Sequence, residues 1–187
     1  MNLNSSHAFF ERWYQKLSSG KVVVVSGIIY IISQAFILAI LSCLGHDPLT
    51  LQTTFSKTVF TGILEKWGQS GLHIYKTHFY VDFVHAFIYA VFLSSWIAYL
   101  TVKPGKKPAP LHLVLWALPF IAGLCDVIEN IFHLVLISNP ADISGTLIKV
   151  SAAFANTKWG LARISLVAIV FYALRRGYQG RKKKLLS

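Results

Sequence analysis

Polar side chains interrupt the apolar segment GLCDVIENIFH, residues 123–133. They occupy positions i, i+3, i+4 and i+7, which places all of them on one face of a helix: Asp126, Glu129, Asn130 and His133. Carboxyl and imidazole groups can act as general acids and bases. Since one charged side chain at the middle of a membrane helix costs about 2.5–3.5 kcal/mol, we expect this face to turn towards other helices.

Two other apolar segments carry polar groups at similar depth. Asp82 and His85 share a helix face at the start of one segment, and a later segment holds Asn156, Lys158 and Arg163. The helical rise of about 1.5 Å per residue predicts four groups roughly 5–10 Å outward of the membrane midplane: Asp82, His85, Glu129 and Lys158. Asp126 and Arg163 are predicted closer to the centre. These segments together predict a nearly neutral polar cluster in the outer half of the bilayer.

Site roles are assigned from this chemistry. The predicted catalytic residues are Asp82, Asp126, Glu129 and His133. The predicted ligand-binding residues are His85, Asn130, Asn156, Lys158 and Arg163. Three acids face two bases in this set, so one carboxyl has no obligatory cation. We take Glu129 as the acid that transfers a proton or binds a ligand.

Two other interpretations of the cluster are open. Ion pairs between its acids and bases could simply lock the helices together. Its imidazoles and carboxylates could instead hold zinc or iron. The spacing D-x-x-E-x-x-x-H is not a recognised ligand signature, and a nearby lysine and arginine would oppose a cation, so we predict no metal and no other cofactor. His73 and His78 are expected in a loop or at the membrane interface.

The composition identifies the elements that must position these groups. Hydrophobic residues make up 55% of the 187, charged residues 13%, and the mean hydropathy is +0.56, which is typical of a membrane protein. Four apolar runs reach the length of about 20 residues that a spanning helix needs: 22–44, 79–101, 111–137 and 150–174. Only helices satisfy the backbone of such isolated runs in lipid. We predict an all-α, antiparallel four-helix membrane bundle, monomeric or weakly oligomeric, with the third span packed centrally.

The segments outside the spans complete the predicted organisation. Residues 1–21 are expected to form an interfacial segment, because 7–17 places aromatic residues along one helical stripe. The spanning domain covers 22–175, with its first run read as a retained signal anchor. Residues 45–78 are expected to hold one amphipathic helix on the outer face, ending at Gly68 and Gly71. Cys43 and Cys125 indicate no disulfide framework.

The charge pattern predicts an orientation. The formal net charge is +11, and twelve Lys and Arg residues lie in the two terminal segments and the 102–110 connector, against four in the other two loops. The positive-inside rule therefore places both termini in the cytoplasm, at the inner membrane if the source is bacterial. The basic tail 176–187 is expected to attract anionic lipid headgroups. Topology explains the charge, so we predict membrane lipids as partners and no nucleic acid.

Three segments together resemble a family of small four-span membrane proteins, largely bacterial. They are 64–90, 118–137 and 156–162, and they cover about half of the chain. The family pattern is a G-x-x-G turn, a tyrosine, an Asp opening span two, a D-x-x-E-N motif in span three and a T-x-K-like start to span four. The matching positions are Gly68, Gly71, Tyr75, Asp82, Asp126, Glu129, Asn130, Thr157 and Lys158. His85 and Trp67 depart from the pattern.

This resemblance implies the four-span architecture and the site, and it carries no settled activity. The architecture is also similar, more loosely, to that of the four-span sterol isomerase and sigma-2 receptor group. We predict a polar acid/base pocket in the outer half of the bilayer that modifies a lipid or sterol. Two alternatives are a non-enzymatic binder or transporter of a lipid or lipophilic cation, and a structural protein whose charges only lock the bundle.

Overall fold

The computed structural model describes residues 3–103, 105–139 and 142–185, with side chains from residue 9 to residue 182 within these ranges. The elements within them are all helical: α1 Leu3–Leu17, α2 Gly20–Leu41, α3 Asp47–Thr53, α4 Lys57–Thr101, α5 Pro110–Ser138 and α6 Gly145–Leu185, with a 3₁₀ turn at Ser42–Leu44. The predicted all-α class is confirmed.

Four helical segments are long and apolar enough to cross a membrane. They are Gly20–Leu44, Lys57–Thr101, Pro110–Ser138 and Gly145–Lys182, which match the four predicted runs in number and order. The chain therefore has the architecture of a multi-pass membrane protein. The short connections place α3 at one end of the bundle, called the α3 end here, and α1 at the opposite end, called the α1 end.

Two helices extend well beyond the predicted spans. The predicted span 79–101 is the second half of α4, whose backbone bends at Gly68 with φ 57° and ψ −162°. Because Gly68 is non-helical, α4 consists of two helices, and the first runs from Lys57 to Gly68, where the helix predicted within 45–78 was expected to end. The prediction of a single helix missed α3, which is a second, short helix in that segment. The second part of α4 begins after Gly68, earlier than the predicted start of the span at residue 79. Likewise, α6 continues through the predicted tail as far as Leu185.

The centre of the bundle is α4, which packs against α2, α5 and α6. The third predicted span, α5, packs against α4 and α6, so its expected central position is taken by α4 instead. Small residues allow α4 and α5 to approach closely: a Cβ on Gly123 would lie 2.8 Å from the carbonyl oxygen of Ala86 and 3.3 Å from Cβ of Ala90. Close backbone approach at small residues is a common way for membrane helices to associate.

Two apolar clusters fill the bundle, one at each end. The cluster at the α3 end joins α3, α4, α5 and the start of α6, and the fully buried Phe60 and Ile137 lie in it. The cluster at the α1 end includes Tyr14, Ile97 and Trp116. The buried acids and lysine of α4, α5 and α6 lie between the two clusters in sequence along each helix: Asp82, Asp126, Glu129 and Lys158. The apolar clusters thus exclude water from both sides of a polar layer.

Helix α1 packs against α4 and α5 at the α1 end, and Tyr14 is its buried contact. Tyr14 is 1% exposed, and its hydroxyl lies 2.7 Å from Oγ1 of Thr101 at the end of α4. Its ring also packs edge-on against Trp116 of α5. Burial raises the pKa of the Tyr14 phenol above its ordinary value. The neighbouring Phe9, Phe10 and Trp13 remain exposed, whereas Tyr14, which belongs to the same predicted stripe, packs into the bundle.

Candidate functional site

Lys158 of α6 is the centre of the polar layer. Its Nζ lies 2.6 Å from Oδ1 of Asp126 and 2.6 Å from Oε2 of Glu129, both on α5. The three residues are buried, with 6%, 3% and 0% of their surfaces exposed respectively. The spacing of the two acids, i and i+3, brings both to the side of α5 that faces α6. A buried ammonium group therefore bridges two carboxylates.

Asp82 of α4 is the third acid of the layer. Its Oδ2 accepts a hydrogen bond of 2.8 Å from Nδ2 of Asn130 on α5. Asp82 is buried, with 7% of its surface exposed. Among the described residues, no lysine or arginine forms an ion pair with it. Among the described residues the layer thus contains three buried carboxyl groups and one ammonium group, so the acid surplus inferred from the sequence is larger in the folded protein.

His133 extends the layer towards the α3 end. Its Nε2 lies 3.8 Å from Oε1 of Glu129, and its Nδ1 lies 3.2 Å from the hydroxyl of Tyr75 on α4. Tyr75 and His133 are fully enclosed, with 0% and 1% exposure. Both residues therefore lie on the α3 side of the ion pairs and are shielded from the surface of the protein.

A cavity of about 390 Å³ adjoins the polar layer. It lies between α2, α4 and α6, with residues of the α2–α3 connection and α3 over one end. Its buried polar lining, called the floor here, consists of Gln52, His78, Asp82, His85, Asp126 and Lys158. The volume is in the range of small-molecule sites. A set of charges that only locked helices together would need no such space beside it.

The structure divides the predicted site residues into three groups. Four of them line the cavity: Asp82, His85, Asp126 and Lys158. Three others lie behind it in the polar layer and are absent from its lining: Glu129, Asn130 and His133. Glu129 was expected to contact a ligand, but it lies outside the cavity lining and pairs with Lys158 instead. Asp82 and Asp126 are the acids that face the cavity.

Asn156 and Arg163 lie outside the cluster. Asn156 is exposed, and its Nδ2 donates to the carbonyl oxygens of Thr53, at 3.1 Å, and Ala152, at 2.8 Å, so it connects α6 with α3. Arg163 is exposed on α6. Each residue advances a helix by about 100°, so positions two and five away from Lys158 face other directions. Arg163 was expected to be a base of the polar cluster, but it points away from the acids, which pair with Lys158.

Several cavity residues escaped the sequence analysis. His78 is buried, with 1% exposure, and does not lie in a loop or at a surface as expected. Tyr89 also lines the cavity. Together with Asp82 and His85, they occupy positions i, i+4, i+7 and i+11 of α4, one continuous helical stripe. Extending the Asp82/His85 pair by one turn in each direction would have identified both.

Helix α2 contributes the other overlooked group. Oγ of Ser33 lies 2.8 Å from Nδ1 of His85, and the ring of Tyr30 stacks on the imidazole with centroids 5.5 Å apart. These contacts hold the His85 ring in its position in the floor. The hydropathy of α2 gave no such signal, because isolated Ser and Tyr residues are common in membrane helices.

Metal-ligand geometry is a separate question. Within the described ranges, no three His, Cys, Asp or Glu side chains converge as a metal site requires. The acids of α5 turn to Lys158 instead, and an ammonium group between two carboxylates occupies the position that a cation would take.

Comparison with known proteins adds no relative. No family model, curated protein or solved structure matches this chain.

Proposed function

We propose that the protein is a membrane-embedded enzyme that modifies a lipid or sterol by proton transfer at the cavity floor. The observation that supports this proposal is the position of Asp82 and His85. Both are buried side chains of α4 that line a cavity between helices long enough to span a membrane, and neither forms an ion pair with a lysine or arginine of the described residues. A cavity of this kind gives a lipophilic molecule access to an acid and a base.

The available groups favour one class of reaction. Carboxyl, imidazole and phenol groups move protons, so the floor can protonate one carbon of a carbon–carbon double bond and remove a proton from a neighbouring carbon. The double bond then shifts, one proton enters, one leaves, and no electrons are gained or lost. The proton that leaves comes from the carbon attached to the other alkene carbon, so that the new double bond forms between these two. In this proposal His85, oriented by Ser33, and Asp82, held by Asn130, exchange the two protons. Asp126 contributes charge beside them.

A second candidate is a binder or transporter of a lipophilic cation that carries out no reaction. The observation that favours it is the ratio of three buried carboxyl groups to one ammonium group in the layer. A buried carboxylate without a cation is costly, and a cationic ligand would offset that cost. The two candidates differ in whether a covalent change in the ligand accompanies binding.

Solvent isotope labelling distinguishes the two. Cells with and without the protein are grown in deuterated medium for a short period, and their lipids are profiled by mass spectrometry. Proton transfer predicts a lipid isomer that depends on the protein and carries solvent deuterium at one carbon. Asp82→Asn should abolish that isomer, whereas Glu65→Gln, an exposed acid at the start of α4, should leave it unchanged. A lipid profile and isotope pattern identical with and without the protein would contradict the enzymatic proposal.

The proposed orientation places the α1 end and both termini in the cytoplasm. Its support is the distribution of basic residues, among them Arg176, whose Nη1 donates 2.9 Å to the carbonyl oxygen of Tyr99 at the α1 end. Arg175, Arg181 and Lys182 are exposed nearby on α6, where anionic lipid headgroups would meet them. Reporter fusions at residues 60 and 187 should report opposite compartments. The same compartment for both would contradict the orientation.

A further inference from the structure

The rim of the cavity has two chemically different parts. The part between α2 and α6 is apolar and exposed, and we call it the lateral rim: Leu38 is 60% exposed, Leu166 48% and Trp159 38%. The part at the α3 end is short and includes the exposed Ser42, Gly45 and His46, and we call it the end rim. The floor below both is polar and buried. The cavity therefore changes from apolar to polar between the lateral rim and the floor.

Helix packing leaves the lateral rim open. Helices α2 and α6 both pack along α4, but they scarcely touch each other. Each presents a stripe to the space between them: Gln34, Ile37 and Leu41 on α2, and Trp159, Ala162 and Leu166 on α6. Both helices are long and apolar enough to cross a membrane, so in a bilayer the opening between them would face hydrocarbon.

We infer that the ligand of this site is an amphipathic membrane lipid that enters sideways between α2 and α6. Its polar or reactive part reaches Asp82 and His85, and its hydrocarbon part stays against the lateral rim. This inference rests on the proposed function, whose substrate class and route it specifies. The inference is supported by the match between the polarity of the cavity and that of an amphipathic lipid, both of which change from apolar to polar along their length. An apolar rim holds a hydrocarbon chain without desolvating polar groups, whereas the buried polar groups of the floor need a polar partner.

Photolabelling tests the route directly. The purified full chain is reconstituted in phosphatidylcholine vesicles that contain a phosphatidylcholine with a diazirine on one acyl chain, and labelled residues are mapped by mass spectrometry. Leu93 is the informative position, since it lines the cavity and is only 7% exposed. Ile97 on the same helix is 0% exposed, lies outside the cavity and serves as the control. Labelling of Leu93 without Ile97 is expected. Absence of label at Leu93 would overturn the inference.

Two blocking variants separate the lateral rim from the end rim. Ala162→Phe narrows the space between α2 and α6 and should reduce labelling of Leu93 severalfold. Ala153→Phe, an exposed alanine of α6 outside the cavity, should leave the labelling unchanged. Ser42→Phe narrows the end rim and should also have little effect. Loss of labelling in Ser42→Phe, with none in Ala162→Phe, would show entry from the α3 end and overturn lateral entry.

The combined results separate this inference from the proposed function. Labelling that responds to Ala162→Phe, together with no isotope change that depends on the protein, would leave the lateral lipid site intact and refute the enzymatic proposal. An isotope change lost in Asp82→Asn but unaffected by Ala162→Phe would leave the reaction intact and refute the lateral route. If Ala162→Phe does not accumulate, labelling of Leu93 relative to Ile97 in the unmodified chain decides.

Discussion

Replacement of Lys158 by methionine tests whether the polar layer depends on its one ammonium group. Methionine is similar in length and apolar, so the substitution removes the charge and little volume. It leaves Asp126 and Glu129 facing each other in a buried layer, each deprived of a contact of 2.6 Å. Breaking a buried ion pair by removing one partner costs about 3–5 kcal/mol. That is a large fraction of the roughly 5–15 kcal/mol by which domains are stable.

Matched variants isolate the charge effect. Glu129→Gln leaves Lys158 paired with Asp126 and removes one charge-assisted contact, so a smaller loss of about 1–3 kcal/mol is expected. The triple variant Lys158→Met, Glu129→Gln, Asp126→Asn has no unpaired charge at these positions and should recover much of the stability lost in Lys158→Met. Lys149→Met, an exposed lysine on the same helix, is the control and should have little effect.

Thermal unfolding in detergent, followed by size-exclusion chromatography, measures these differences. For a chain of this size, about 1 kcal/mol corresponds to roughly 2–4 °C in Tm, so Lys158→Met should melt roughly 6–20 °C below the unmodified protein. A Tm within about 2 °C of the unmodified protein would refute the reasoning. A triple variant less stable than Lys158→Met would also refute it, because neutral amides at positions 126 and 129 need no counter-charge.

Three further predictions concern the fold around the site. Gly123→Ala should destabilise the protein by about 1–3 kcal/mol in the same thermal assay, because its Cβ would lie 2.8 Å from the Ala86 carbonyl oxygen. Gly160→Ala, which has open space around it, is the control and should have no such effect. Equal stability of the two variants would contradict close packing of α4 and α5. Tyr14→Phe should weaken the attachment of α1 by about 0.5–1.5 kcal/mol through loss of the contact with Thr101. Limited proteolysis should then cut faster within residues 9–19, whereas Tyr178→Phe, at an exposed position, should leave the rate unchanged. An unchanged rate in Tyr14→Phe would contradict the docking of α1. The ion pair between Lys66 and Asp47 at 2.7 Å lowers the pKa of Asp47 below its ordinary 3.8. The contribution of this pair to the docking of α3 is therefore present above pH 3.8 and is lost as the pH falls through the lowered pKa. Lys66→Met should abolish this loosening of α3 in acid, measured by the reactivity of a cysteine placed at Thr50, and an unchanged pH profile would contradict the role of the pair.

Individual residues show where sequence reasoning succeeded and where it stopped. The i, i+3, i+4, i+7 spacing of Asp126, Glu129, Asn130 and His133 predicted one buried face, and all four residues are buried. Spacing could not show which of them would line a cavity, because that depends on the position of α2. The predicted depths of Lys158 and Arg163 also could not show which of the two reaches the acids. Their angular separation on α6 decides that only Lys158 reaches the acids.

The sequence by itself determined the local properties of this protein. Four apolar runs in otherwise polar surroundings specify four spanning helices, because lipid leaves the backbone no other way to satisfy its hydrogen bonds. The polar stripes follow from helical period, which is also local. The tertiary structure alone decided that α4 is central, that Glu129 lies behind the cavity and Asp82 in its floor, and that α2 and α6 stand apart. These features arise from packing between residues far apart in the chain, such as Gly123 against Ala86, and no periodicity within one helix records them.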